Sequence, residues 1–389
     1  MPASIFSVNP LPGQQHQMTL SSETTGDQRW ARHLKRCDNP AFTLEPITGA
    51  SFGARIKFSD PDLTVAVTAL EARPAQLEQA LITAGGLLLL PGLTEIASNP
   101  ELLLRFSRLF GPEVEDYRHT LSTRNLVHPD VPEILVLSNQ PPSNRQPPER
   151  PDPPLTADGE LPVQFPHRKG WHTDQSFRRP PPDVSLFYAV VPSPKGTGQT
   201  LYASGTLAYD SLDDDTRQRI ESLQGIHALP WTGRSETAVH SGEAPLELLP
   251  HQRPQKQPIV RIHPISGQRA LYLCEDGQMD WVDGPIDGLS SGPSGDGATL
   301  LYELMSHFTQ PEFVYAHDWD EGDLLIHDNR NVIHSATWFD TDNQVRHMWR
   351  TTVMGNPGPL YDGEPRSWVP PPGVDSTEGL ADQTNERGT

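Results

Sequence analysis

The sequence has only two cysteines, Cys37 and Cys274, far apart and in no CxxC pair. A disulfide framework or a structural zinc site is therefore not expected, whereas a reducing, cytoplasmic setting is. Long apolar runs are also missing. The longest, around Leu87–Leu90, is far too short to span a bilayer, so no membrane partner is expected. The N-terminal residues have neither a basic n-region nor an apolar h-region, so they do not read as a secretory signal. Positive charge is scarce. Thirty Lys and Arg stand against 50 Asp and Glu, a formal net charge of −20. Such a surface repels phosphate backbones and argues against nucleic acid as a partner. An anionic small molecule would need a pocket with its own arginines.

Proline and glycine are abundant, at 41 and 30 of 389 residues. Many short strands joined by Pro/Gly-rich turns suit that composition better than a helical bundle. Residues 1–41 are polar and aperiodic and read as a disordered extension, with a short helix near Arg29–Lys35. Residues 42–58 alternate into two short strands. Pro74 opens a helix to Ala84, Gly85-Gly86 ends it, and Leu87–Leu90 follows as a buried strand. Glu101–Phe110 has i, i+3, i+4 apolar spacing and reads as a second helix, stopped by Gly111-Pro112. Glu133–Ser138 is a strand. The proline-rich stretch 141–154 is either a disordered insertion or a lid loop. Val184–Val191, Pro258–His263, Ala270–Leu273, Leu324–Ile326, Val332–Ala336 and Arg346–Met354 read as strands. Asp213–Leu223 and Ala298–Phe308 read as helices. The segment after Gly355, residues 356–389, reads as a flexible tail. The sum is an α+β chain with a sandwich or barrel core over residues 42–355. No internal repeat is visible, and the oligomeric state is left open, a homo-oligomer included.

The chemistry starts at Trp171-His172-Thr173-Asp174. On a strand, residues i and i+2 face one side, which would point His172 and Asp174 into one interior. An imidazole and a carboxylate together supply two of the three ligands of a non-haem iron(II) facial triad. With 15 histidines, on the order of one His-x-Asp is expected by chance. His128-Pro129-Asp130 is such a decoy, since its prolines mark a turn. The third ligand must come from elsewhere, and His334, 162 residues downstream of His172, is the best candidate. His327 is its rival, but it abuts the turn residues Asp328–Arg330. Alone, His334 reads equally well as a hydrogen-bonded core histidine.

The arginines tip that balance. Asp340–Gln344 has turn composition and suggests a hairpin between the last two strands. A loop centred on Asp342 would set Arg350 across from His334 and Arg346 across from Trp338, both on the face of His334. A guanidinium inside a barrel requires an anion, and its planar fork suits a carboxylate. Two histidines, a carboxylate and inward arginines form a site for iron plus a dicarboxylic co-substrate.

At these residues the chain resembles the taurine dioxygenase/chlorophenoxyacetate dioxygenase family of Fe(II)/2-oxoglutarate enzymes. The resemblance runs from Trp171–Phe177 through Gly196–Tyr202, Trp319, Gly322-Asp323 and Asp328-Asn329-Arg330 to His334, Arg346 and Arg350. It covers about Phe42 to Gly355. It implies a double-stranded β-helix, a jelly-roll-like core with flanking helices. It also implies iron ligation by His172, Asp174 and His334, with 2-oxoglutarate held by Arg346 and Thr200. O2 and a small-molecule substrate are the further partners, the substrate anionic if Arg350 meets it. Tyr117 and His119 fall where family members place substrate contacts, although Asp116–His119 does not spell the taurine pattern. The extension before Phe42 and the insertion at 141–154 depart from the family core. A binding protein that kept the fold without catalysis is the alternative, and the complete triad with Arg346 argues against it. A zinc hydrolase would leave Arg346 and Thr200 without a role.

Overall fold

The computed structural model describes residues 40–119, 126–149, 170–355 and 366–367. The expected extension up to residue 39, with its helix near Arg29–Lys35, lies outside them. So do residues 150–154 of the proline-rich stretch and the tail apart from 366 and 367.

Fourteen strands run through the described residues. The first five are β1 (Phe42–Pro46), β2 (Ala54–Phe58), β3 (Leu87–Leu90), β4 (Leu135–Ser138) and β5 (Val184–Val191). Next come β6 (Thr200–Ser204), β7 (Gln224–His227), β8 (Gln255–Pro258), β9 (Val260–Ile262) and β10 (Arg269–Leu271). The last are β11 (Val314–His317), β12 (Leu324–Asp328), β13 (Val332–Ala336) and β14 (His347–Val353). Seven form one sheet, in the order β1-β2-β3-β12-β5-β14-β4, and three form a second, β11-β6-β13. Pairing is antiparallel throughout the large sheet except between β2 and β3. Helices and largely antiparallel sheets together make the expected α+β architecture.

Period-2 alternation builds the layers. On β12, Leu324 and Ile326 face one core while Leu325 faces another. On β6, Leu201 and Ala203 turn outward to a third core, and Tyr202 turns inward. Val332 and Ile333 divide in the same way on β13. The inward set, with Leu87, Leu89, Ala189, Met348 and Tyr202, packs the two sheets face to face. Outside the large sheet lie the helices Leu63–Glu71, Ala75–Thr83 and Glu101–Arg108, and outside the small sheet lies Asp296–Phe308. Central strands buried on both faces explain the apolar runs Leu87–Leu90 of β3 and Leu324–Ile326 of β12. Each fully buried leucine there contributes on the order of 1.5–3 kcal/mol.

The helix Leu63–Glu71 was not anticipated from the sequence. Its signals were nevertheless present. The Asp62 side chain accepts hydrogen bonds from the Thr64 and Val65 backbone N–H groups, and Leu63, Ala66, Val67 and Leu70 line its buried face. Its β-branched residues masked that pattern. The expected helix after Pro74 runs Ala75–Thr83, and Gly86 (φ 93°) turns the chain into β3. A Cβ at Gly86 would stand 2.9 Å from Asn331 Nδ2, so the turn also needs the missing side chain. The expected strand at Pro258–His263 shortens to β9, and β6, β7, β8 and β11 were not anticipated. Among the described residues no helix is long and apolar enough to cross a membrane.

The expected hairpin is absent. Asp340–Gln344 does turn, with Gln344 N–H bonded to Asp340 O at 2.8 Å. But β13 pairs with β6, whereas β14 pairs with β5 and β4. The connection crosses from one sheet to the other. Turn composition reveals that the chain reverses, not which strand it then joins.

Candidate active site

His172 does not lie on a continuous strand. It forms an isolated bridge with His334, in which each N–H donates to the other's carbonyl, at 2.9 and 2.8 Å. The chain then turns at once, and Gln175 adopts a left-handed φ of 51°. That turn, rather than strand alternation, carries Asp174 back toward the two imidazoles. One ligand atom from each of His172, Asp174 and His334 lies within 4.8 Å of the others.

The donors are oriented from behind. His172 Nδ1 lies 2.8 Å from the Gly170 carbonyl, a bond that makes Nδ1 the protonated nitrogen and leaves Nε2 its lone pair. Ser185 Oγ donates to Asp174 Oδ2 at 2.6 Å, and Asn329 Nδ2 donates to Ser185 Oγ at 2.9 Å. Thr173 Oγ1 donates to the Asn329 carbonyl at 2.9 Å. The Asp328-Asn329-Arg330 turn thus fixes the loop that carries the carboxylate. It is itself locked by the buried Arg330–Asp328 pair at 2.7 Å and by His263 Nε2 at 2.9 Å from Asp328 Oδ2.

Electrostatics favour neutral imidazoles beside an ionised carboxylate. Burial pushes His172 and His334 below the usual histidine range. Burial opposes ionisation of Asp174, but Arg350 and then His334, His327 and His172 hold its carboxyl well below the usual range. His327, the rival ligand, is buried on β12 with its ring 4.7 Å from that of His334. Its Nε2 lies 3.7 Å from Asp174 Oδ2, and neither ring nitrogen has a hydrogen-bond partner. It stands beside the cluster, outside the set of mutually close ligand atoms. His128 is a turn residue, as expected: its Nδ1 accepts from Asp130 N and Val131 N, both at 3.2 Å.

A cavity of about 500 Å³ opens beside the cluster and is lined by His172, His334, Thr200, Arg346 and Arg350. Arg350 reaches it from β14 of the large sheet and Arg346 from the position just before that strand, opposite His334 on the small sheet. The expectation that they share the face of His334 through a hairpin is not met: His334 and Arg350 lie on different sheets, and all three residues line one cavity. Arg346 is half-buried, with Nε and Nη2 buried and unpaired and its guanidinium 5.5 Å from the Phe187 ring centre. Desolvation, then Arg145, lowers its pKa to about 10. Thr200 Oγ1 accepts from Trp319 Nε1 at 3.0 Å, which leaves its hydroxyl hydrogen for another partner. Arg350 Nη1 is hydrogen-bonded to Asp174 Oδ1.

Tyr117 is not in the cavity wall. It is 1% exposed, and its hydroxyl lies 2.7 Å from Thr352 Oγ1. The side chain of His119 lies outside the described residues. Other cavity-lining residues were not singled out in the sequence, namely Arg145–Pro148 and Trp231, and His327, weighed there as a rival ligand, lines the cavity as well. Only the position of the proline-rich stretch, just ahead of the His172 motif, hinted at the first of these.

The donor set fits a divalent transition metal: two neutral nitrogens and one anionic oxygen, converging and supported from behind. The buried, unpaired Nε and Nη2 of Arg346 fit a carboxylate in the same cavity.

A sandwich of two facing sheets that encloses such a cluster and an arginine with two buried, unpaired nitrogens defines an α+β protein with a built metal-and-anion cavity. The chain belongs to the taurine catabolism dioxygenase TauD, TfdA family, whose model matches residues 43–352. It is 32% identical over 201 residues to an (S)-phenoxypropionate/alpha-ketoglutarate-dioxygenase of Sphingobium herbicidovorans, covering 48% of this chain and 63% of that one. The match thus spans less than two thirds of that relative. Pentalenolactone F synthase of Streptomyces arenae is 30% identical over 308 residues, 76% of this chain and 90% of that protein. A crystal structure of AAD-2 in complex with Mn(II) and N-oxalylglycine has a TM-score of 0.55 and 26% identity, covering 81% of this chain and 98% of that one.

Proposed function

We propose that the protein is an Fe(II)- and 2-oxoglutarate-dependent dioxygenase that hydroxylates a small anionic substrate, releasing succinate and CO2. One observation carries the reading: the two histidines of a His–Asp–His cluster within 4.8 Å line a cavity with Arg346, whose buried Nε and Nη2 are unpaired. In this reading the sandwich is a double-stranded β-helix spanning residues 42–355, and the setting is cytoplasmic.

His172, Asp174 and His334 would hold the metal, and Ser185 and Gly170 keep their donor atoms aimed at it. With only three protein ligands, the metal would keep positions for co-substrate and oxygen. When bound, ferrous iron and 2-oxoglutarate supply the oxidising chemistry: the keto acid loses CO2 as O2 is consumed, leaving succinate and one oxygen atom for the substrate. Arg346 takes the far carboxylate of the keto acid through its two unpaired nitrogens, and Thr200 donates its hydroxyl to the same group. Arg350 balances the charge of Asp174 and faces the substrate side of the cavity. Against its burial, Asp174 and then the Tyr117 phenol favour the Arg350 charge, so Tyr117 serves it from the core. His119 remains a substrate-contact candidate by sequence position alone. Support for an anionic substrate comes from the relative named for phenoxypropionate, a carboxylate.

The test is aerobic succinate release by the purified chain. Succinate is expected to form only when ferrous iron and 2-oxoglutarate are both added, and faster with an accepted carboxylate, sulfonate or sulfate ester. No succinate under any combination contradicts the proposal.

A further inference from the structure

Asp174 is the donor that no strand ladder holds. His172 and His334 fix each other through the main chain, but Asp174 lies past that bridge, in the turn that follows it. On its N-terminal side Thr173 is bonded to the Asn329 carbonyl. On its C-terminal side stands Gln175, whose φ of 51° is left-handed. A non-glycine residue is strained there and keeps that conformation only where its surroundings hold it.

The hold comes from Glu115, 60 residues earlier in the chain. Gln175 Nε2 donates to Glu115 Oε2, and Arg178 Nη2 forms an ion pair with Glu115 Oε1 at 2.8 Å. The Arg178 backbone N–H donates in turn to the Gln175 carbonyl at 2.9 Å. One carboxylate therefore grips both ends of the Gln175–Arg178 turn. Among the described residues it is the only hydrogen-bond partner of the Gln175 side chain. Glu115 is 3% exposed and Arg178 8%, so these contacts form away from water, where they are strongest.

Glu115 is itself firmly seated. It lies in no helix or strand, yet its N–H donates to the Thr352 carbonyl at 2.9 Å, and Val114 bridges Val353. Its segment is thus laced to β14, the strand that also carries Arg350, the arginine bonded to Asp174. Gln257 of β8 supports the same turn from another side. Its Nε2 donates to the Ser176 and Arg178 carbonyls, at 2.9 and 2.7 Å, but it does not bond Gln175.

We propose that Glu115 is a positioning residue for the metal site: through Gln175 and Arg178 it holds the left-handed turn that keeps the Asp174 carboxylate beside His172 and His334. It acts through Asp174 and is not itself a ligand. The inference rests on the reading that these three residues bind the metal. If the Glu115–Arg178 pair served the fold alone, breaking it would lower stability and leave the metal affinity of the folded protein unchanged.

The experiment measures Mn(II) affinity by equilibrium titration, and the Tm of the metal-free chain, in wild type and three variants. Gln175→Leu removes the amide that Glu115 holds and leaves the Glu115–Arg178 pair in place. It is expected to lower Mn(II) affinity by about tenfold or more, the effect of losing a group that orients a ligand, with little change in Tm. Glu115→Ala loses about 10- to 100-fold, and its Tm falls as well, because Arg178 is left buried without its counter-charge. Glu115→Gln keeps an acceptor for Gln175, so it recovers part of the affinity while its Tm stays low. Wild-type affinity in Gln175→Leu overturns the proposal, and so does a Glu115→Gln affinity no better than that of Glu115→Ala. Gln175→Leu decides the matter if Glu115→Ala fails to fold. No Mn(II) binding by wild type, or normal binding by His334→Ala, ends the metal-site reading and this inference with it. Intact wild-type binding that Gln175→Leu leaves unaltered ends this inference alone.

Discussion

His172 and His334 bond to each other through their main chains, at 2.9 and 2.8 Å, before either side chain meets a metal. Residues far apart in the sequence thus present rings whose centroids are 4.3 Å apart, held by a two-bond bridge. The third donor, Asp174, depends on side-chain bonds instead, and the first predictions follow from that difference.

Ser185 is the only hydroxyl bonded to Asp174 among the described residues, at 2.6 Å, and Asn329 holds Ser185 in turn. Ser185→Ala should lower metal affinity by about 10- to 100-fold, the usual effect of losing a group that orients a ligand. Metal titration of the apoprotein checks it. Thermal stability should fall only modestly, since one buried hydroxyl contributes about 1 kcal/mol.

Arg346 has two unpaired nitrogens and no carboxylate partner among the described residues. Arg346→Met should raise the KM for 2-oxoglutarate by about 100-fold, because a buried charged contact contributes about 2–5 kcal/mol. The same change should not destabilise the free protein, since it removes an uncompensated buried charge. Steady-state kinetics and a thermal melt test the two halves. A large drop in Tm without a change in KM would mean that Arg346 is structural.

His227 is fully buried, and desolvation followed by Arg261 lowers its pKa to about 3. The sign follows from linkage. The native ring stays neutral while the unfolded ring takes a proton below about pH 6.5, so acid favours the unfolded state. Stability is present above that pH and is lost as pH falls toward 3, at up to about 1.4 kcal/mol per unit. His227→Gln should flatten the dependence of Tm on pH between about 6 and 4. An equally steep slope in the variant would contradict it.

Much of this site was legible in the sequence, for definite physical reasons. His-x-Asp, a distant histidine and two inward arginines have few joint explanations, because buried charge and buried imidazole both need partners. Strand pairing was less legible. Asp340–Gln344 announces a turn, but the partner of β14 depends on which strand edge is free, a property of the whole fold. The route by which Asp174 reaches the histidines was also hidden, since a tight turn and a strand can place i and i+2 alike. Tyr117 reads as a polar contact in sequence, yet its phenol is buried against Thr352. Arg145 and Trp231 lie in irregular segments, where no periodicity tells which way a side chain points.

The central claim is that His172, Asp174 and His334, and not His327, hold the metal. The most direct test is Mn(II) affinity of the apoprotein in two single variants, measured by equilibrium titration. His334→Ala should lose more than about 100-fold, beyond the range for an orienting residue, and His327→Ala less than about tenfold. Normal binding by His334→Ala, or an equal loss in His327→Ala, would contradict the account.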